Sequence, residues 1–275
     1  MIKTFSRIIY VFIILSIVYW VALYVYNPEG DTPYDIFGVL LAFLPILGGI
    51  VGFRVSREWD GQSSFVGRSI LFISASLLMW AAGQSIFLYY MISTRDVPYP
   101  GLPDYFFIFI DPLYALSMLS IMRFSGAASS LKNLSWRHAT LLLIPLISIY
   151  VNYHVFFGDA SYFTELNTTT IVDLIYSFGS ISIMTLIIIT AILSIRKLGG
   201  KMRFALYAIF IGILFQYIGD IAYIFAELEN TVYNGNLSDF IYFLSIAFVT
   251  IGLSRLNTDR LNGGNGVNVD NGVVS

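Results

Sequence analysis

RSILFISASLLMWAAGQSIFLYYMI (68–92) holds one charged residue, Arg68, at its first position. It is longer than the about 20 apolar residues that a helix needs to cross a bilayer. Seven further stretches read the same way, at 6–26, 36–54, 105–123, 138–157, 171–195, 204–227 and 239–255. The expectation is an all-α, polytopic membrane protein with eight transmembrane helices. The second and eighth spans are short and the third is long, which predicts tilt or local mismatch with the bilayer. Pro45, Gly48, Gly49 and Pro145 fall inside spans, where neighbouring helices can satisfy the freed backbone.

Composition agrees. Of 275 residues, 57% are hydrophobic, 17% aromatic and 12% charged, against about 25% charged in a soluble domain; mean hydropathy is +0.77. This excludes an ordinary water-soluble enzyme, a disordered chain and a nucleic-acid binder with a basic surface. With no cysteine, disulfides, thiolate metal sites and cysteine nucleophiles are excluded together.

The charges fix an orientation. With the N-terminus cytoplasmic, fourteen of the 15 basic residues fall in inside segments, from Lys3 and Arg7 through Arg54, Arg57 and Arg68 to Arg255 and Arg260, and Arg95 alone falls outside. The positive-inside rule therefore predicts both termini cytoplasmic in the cell membrane. Glu29, Asp31, Asp96, Asp159, Glu165 and Glu229 fall on the outside. The first span lacks the small-residue cleavage pattern of a signal peptide before Asn27 and Pro28, and is read as a retained helix. The stretch 256–275 is rich in Gly and Asn and reads as a flexible tail, without a separate soluble domain.

An internal repeat organises the spans. Trp80, Gly83 and Gln84 in the third span precede an outside loop and then Asp104-Tyr105-Phe106-Phe107. Gln216, Gly219 and Asp220 in the seventh precede an outside loop and then Asp239-Phe240-Ile241-Tyr242. The glycines stand 136 positions apart and the aspartates 135, while Asp35 and Asp173 stand 138 apart. Residues 1–130 and 131–257 thus read as two four-helix repeats, followed by a cytoplasmic tail at 258–275. Because four is even, both repeats enter the membrane in the same direction and are parallel, not inverted.

The polar residues at membrane depth are the candidate site. Gly212, Gln216, Gly219, Asp220 and Tyr223 share one helical face, as do Ser76, Trp80, Gly83, Gln84 and Phe87. Asp220 lies about two turns from the outer end of its span. A carboxylate there costs roughly 2.5–3.5 kcal/mol on insertion, so it faces the protein interior. It is either structural glue, bonded to Gln84 and Gln216, a ligand or proton site, or a catalytic group. Asp104 and Asp239 open outer helix entries, where a carboxylate caps backbone N–H groups or meets a ligand. Asp111, just before Pro112, either bonds backbone near the kink or joins Asp104 on one face around an outer pocket. Asp35 and Asp173 are expected to be solvated or capping. The candidate ligand-binding set is Asp220, Gln216, Gln84, Trp80, Asp104, Asp111, Asp239 and Tyr105. Aromatic residues crowd the outer half, as an interfacial belt or as the lining of an outer cavity.

Several chemistries lack their residues. His138 and His154 sit at opposite ends of the fifth span, so no two-histidine metal site forms. All four lysines fall inside, so no embedded lysine can carry a retinal Schiff base. GxSxG, Walker and GxGxxG motifs do not occur, and no cofactor is expected. Asn167-Thr168-Thr169 and Asn236-Leu237-Ser238 are sequons in outside loops.

WDGQSSFVGRSILFIS (59–74), WAAGQSIFLYY (80–90) and VPYPGLPDYFFIFIDPLYALSM (97–118) together resemble the multi-pass sensor regions that precede diguanylate-cyclase or histidine-kinase domains in bacteria and archaea. The resemblance covers about 50–120 and reaches the second half through the repeat. It marks Trp80, Gly83, Tyr90, Pro98, Tyr99, Pro100, Asp104 and Pro112 as signature positions, with Gly101 and Pro103 where the pattern has serine and alanine. It implies a sensor-like or ligand-binding module, here a stand-alone protein without an output domain, acting through a separate signalling protein or membrane complex. Besides the lipid bilayer, the expected ligand is small and apolar or cationic, with no nucleic acid partner. Alternatives from other classes are a small-molecule or proton-coupled transporter, a membrane-embedded lipid hydrolase using carboxylates, and a structural subunit of a membrane complex. Catalysis is the less favoured reading.

Overall fold

The computed structural model describes residues 2–127, 143–156, 167–194 and 200–257. The helices are α1 (Ile2–Tyr26), α2 (Thr32–Glu58), α3 (Phe65–Ser93), the short α4 (Asp104–Phe107), α5 (Ile110–Phe124), α6 (Leu143–Phe156), α7 (Thr168–Ser194), α8 (Gly200–Leu228) and α9 (Leu237–Arg255). No strand occurs among the described residues. Among the described residues seven helical segments are long and apolar enough to span a bilayer, with α4 and α5 counted together as one. The chain is a multi-pass helical membrane protein. The expected span at 138–157 falls partly outside the described residues, and the repeat boundary at 130/131 and the tail 258–275 fall wholly outside them.

Two boundaries differ from the sequence reading. The second span was expected to be short; α2 instead runs for 27 residues, starting beside Pro33 and continuing past Arg54 to Arg57 and Glu58. Proline is well placed in a first turn, where its missing N–H costs nothing. The fourth span is broken between Phe107 and Ile110. Pro112 supplies the reason: it has no N–H for the carbonyl of Ile108, and its ring crowds that carbonyl.

Six segments close into a ring. Around it α2 packs on α3, α3 on α5, α5 on α7, α7 on α8, α8 on α9 and α9 back on α2. α1 lies outside against α2 and α9, and α6 outside against α7 and α8. Small residues permit the close crossings. A Cβ on Gly48 would strike Thr250 of α9, and one on Gly52 would strike Ser74 of α3. The core that results includes Phe37, Leu41, Ile73, Leu77, Tyr114 and Phe243. Large apolar side chains such as Ile14, Leu15, Phe178 and Leu146 point outward, as a lipid-facing surface requires.

Both ends of the ring are tied. At the end carrying Asp104 and Asp239, the Trp20 indole donates to the Gly235 carbonyl at 2.9 Å and stacks on Phe240 at 3.8 Å. At the opposite end, rich in arginine, Trp59 donates to the Leu256 carbonyl at 2.7 Å and Asn257 Nδ2 to Glu58 at 3.0 Å. Each tie joins the early helices to α9.

Candidate functional site

The polar faces of α3 and α8 meet at the acidic end of the ring. Gly83 of α3 lies under the ring of Phe107, so close that a Cβ could not be added, and Gly219 of α8 lies under Tyr242 in the same manner. Trp80 stands between them, 6.1 Å from Phe107 and 5.9 Å from Tyr242 by ring centroids, tilted to both. The loops before α4 and α9 are pinned alike. The Gly101 amide donates to Asp104 at 2.7 Å, and the Gly235 amide to Asp239 at 2.8 Å. The Asp239 amide in turn donates to Asn236 Oδ1 at 3.0 Å, a reciprocal arrangement like a capping box. Asp104 and Asp239 are thus loop-fixing residues, one of the two roles expected of them.

These elements enclose a cavity of about 490 Å³, within the range of small-molecule sites. Seven of the eight expected site residues line it: Trp80, Gln84, Asp104, Asp111, Gln216, Asp220 and Asp239. Tyr105 does not. It is 72% exposed, because it follows Asp104 by one residue and so turns about 100° away around the helix. Asp111 takes the pocket role expected of it and lies against Gly179 of α7.

α7 supplies a wall that sequence reading missed. Thr169, Asp173, Tyr176 and Ser180 all face the cavity; their spacing of four, three and four is the signal that would have found them. Asp173 and Asp35, expected to be solvated or capping, both have partners. Tyr99 donates to Asp173, and the Tyr176 hydroxyl donates to Asp104 at 2.6 Å. Burial, then the bond to Asp173, raises the Tyr99 phenol above its ordinary pKa. Asp35 accepts both guanidinium nitrogens of Arg95, at 2.8 and 2.9 Å, and Asn234 Nδ2 at 2.7 Å.

The deeper acids differ in their surroundings. Asp220 accepts the Tyr242 hydroxyl at 2.8 Å, not the amides of Gln84 and Gln216 expected as its partners. Gln84, only 5% exposed, leaves Nε2 without a hydrogen-bond partner. Among the described residues no three His, Asp or Glu side chains converge as a metal-holding group. His138 lies outside the described residues, while His154 packs on Tyr150 at 4.5 Å. Of the sequons, Asn236 is 5% exposed, and its Oδ1 accepts from the Asp239 amide at the start of α9.

The arrangement is a half-enclosed, aromatic and acidic chamber with polar atoms directed inward. No family model matches the chain, and neither a curated protein nor a solved structure is significantly similar to it.

Proposed function

We propose that this chain is an integral membrane ligand-binding module, sensor-like in the sense that occupancy of its cavity is read by a separate partner. In this reading it has eight transmembrane helices, in two parallel four-helix repeats at 1–130 and 131–257, with both termini cytoplasmic in the cell membrane. The observation that carries the ligand-binding reading is the cavity, whose walls come from α3, α5, α7, α8 and α9 and take in seven of eight independently chosen residues. Trp80, Pro98, Tyr99 and Asp104, four signature positions of the sensor-region resemblance, are among its lining. The repeat draws support from the matched glycine–ring contacts and matched loop bonds at offsets of 134 to 136. The orientation draws support from the charge asymmetry, and the eighth span from α6, which falls within 138–157.

Native mass spectrometry of gently extracted wild type and Asp220→Asn tests the function. A small-molecule adduct carried by wild type and lost in the variant supports a cavity ligand. A bare protein in both states overturns it and leaves Asp220 structural. Single cysteines placed at Ser63 and Asp96 in this cysteine-free chain test the topology. Labelling from outside intact cells at position 96 and not at 63 is expected, and the reverse pattern overturns it.

A further inference from the structure

The chemistry of the cavity narrows the ligand, and this step rests on the ligand-binding reading just given. Among the described residues six carboxylates line the chamber, from Asp104, Asp111, Asp173, Asp220, Glu227 and Asp239, and no lysine, arginine or histidine does. Four are engaged by protein donors: Asp104 by Tyr176 and Gly101, Asp173 by Tyr99, Asp220 by Tyr242, and Asp239 by Gly235. Among the described residues Asp111 and Glu227 form no such bond. Glu227 is exposed, at the mouth. Asp111 is at depth, where it interacts electrostatically with Asp220. Two carboxylates in one low-dielectric chamber, with no cation beside them among the described residues, are satisfied either by a bound proton or by a positively charged ligand.

The surroundings of Asp111 say what kind of cation. Ser76 bonds the carbonyl of Ile110, next to Asp111, at 3.3 Å, and Ser76 lies one turn from Trp80. The acid and the rings of Trp80, Phe107 and Tyr242 all line the one chamber. Aromatic faces around a carboxylate suit an organic ammonium ion, which sheds its water readily and gains from the ring quadrupoles. A bare metal ion instead requires several converging oxygens, and among the described residues no three acidic or histidine side chains converge as a metal-holding group. A separate and independent observation is Gln84. Its Nε2 is buried, unpartnered and part of the same wall, so it has a donor to give to a ligand oxygen, and an orphaned buried amide is costly.

We infer that the cavity binds a small organic ammonium ion bearing a neutral oxygen, with the ammonium against Asp111 and the three rings and the oxygen accepting from Gln84 Nε2. A hydroxyl, ether or carbonyl near the charge serves as that oxygen. An attached phosphate would meet carboxylates and no base. A choline lipid shares the ammonium but carries that phosphate, so the chemistry points to a free amine, and the test separates the two.

The probes are choline, tetramethylammonium (which lacks the hydroxyl) and phosphocholine, titrated by calorimetry into the full chain in a maltoside detergent. Nanodiscs with and without phosphatidylcholine form the lipid arm. Choline is expected to bind saturably, and both tetramethylammonium and phosphocholine to bind at least about tenfold more weakly. Asp111→Asn is expected to weaken choline by about tenfold or more, and Gln84→Leu to bring choline down to the level of tetramethylammonium. Should Asp111→Asn fail to fold, Phe107→Leu reads the aromatic cage in its place. Binding only in phosphatidylcholine nanodiscs with no uptake of free choline overturns the neutral-oxygen assignment, because that headgroup carries the phosphate. Failure of every cation to bind wild type, or binding indifferent to Asp111→Asn and Phe107→Leu, overturns the inference. If native mass spectrometry still finds a neutral or anionic adduct lost in Asp220→Asn, the ammonium assignment falls alone. If it finds none, the ligand-binding reading falls with it.

Discussion

Tyr242 donates its hydroxyl to Asp220 at 2.8 Å while its ring covers Gly219, the residue before the acid. At the corresponding place in the first half, Phe107 covers Gly83, and the next residue is Gln84 with its amide nitrogen unpartnered. The two arrangements differ by that hydroxyl and by an acid in place of an amide. Tyr242→Phe is expected to destabilise the protein by about 1–3 kcal/mol, the cost of leaving a buried acceptor unsatisfied. By analogy with Tyr242, Phe107→Tyr is expected to give Gln84 a partner and to raise stability by about 1 kcal/mol. Thermal unfolding in detergent reads both, and equal shifts of one sign would refute the asymmetry.

The glycines beneath these rings are close-packing positions. A Cβ on Gly219 would stand 2.7 Å from Tyr242 Cδ1, and one on Gly83 would enter the Phe107 ring. In an open helix Gly→Ala stabilises by about 1 kcal/mol. Here overpacking of about 1–3 kcal/mol opposes it. Gly83→Ala and Gly219→Ala are therefore expected to lower the unfolding temperature, and a rise in either would contradict the ring contact.

Which parts of this were legible follows from where the constraint lies. Span positions follow from hydropathy, and the depth of Asp220, Gln84 and Trp80 from helical spacing along single helices. The break before Ile110 depends on Pro112, which was visible, but the choice between a kink and a full break depends on packing. The extension of α2 to Glu58 was hidden because Arg54 and Arg57 read as a span end, although a helix can continue past the membrane. The pairs Tyr99–Asp173 and Tyr176–Asp104 join residues more than seventy positions apart. No local pattern encodes such pairs, so α7 was missed as a cavity wall.

Those two tyrosine bonds strap the loop between α3 and α4 onto α7. Tyr99→Phe is expected to lower hydrogen-exchange protection of the 96–103 amides, with Tyr176→Phe adding to the loss. The pH dependence has a definite sign. Because burial and Asp173 raise the Tyr99 pKa, its contribution is fully present below the unfolded value of about 10 and fades only as pH climbs towards the higher folded value. Protection factors in wild type should therefore stay level from neutral pH to about 10. A fall centred well below that would mean Tyr99 is not the group that holds the loop.

Arg95 and Asn234 converge on Asp35 from different sides, one exposed and one buried, and physical chemistry ranks them opposite to their charge. Arg95 is paired with Asp31 at 3.2 Å and with Asp35 at 2.8 Å, but water and salt screen an exposed pair. Asn234 is 2% exposed and carries the loop before α9 onto α2 through its 2.7 Å bond. Asn234→Ala is expected to cost about 1–3 kcal/mol, since it leaves part of Asp35 unsatisfied. Arg95→Gln is expected to cost less than that and to abolish most of the salt dependence of unfolding. Melting curves of the two variants at low and high ionic strength decide the ranking. A larger loss from Arg95→Gln at high salt would mean that the guanidinium holds this corner by geometry rather than by charge.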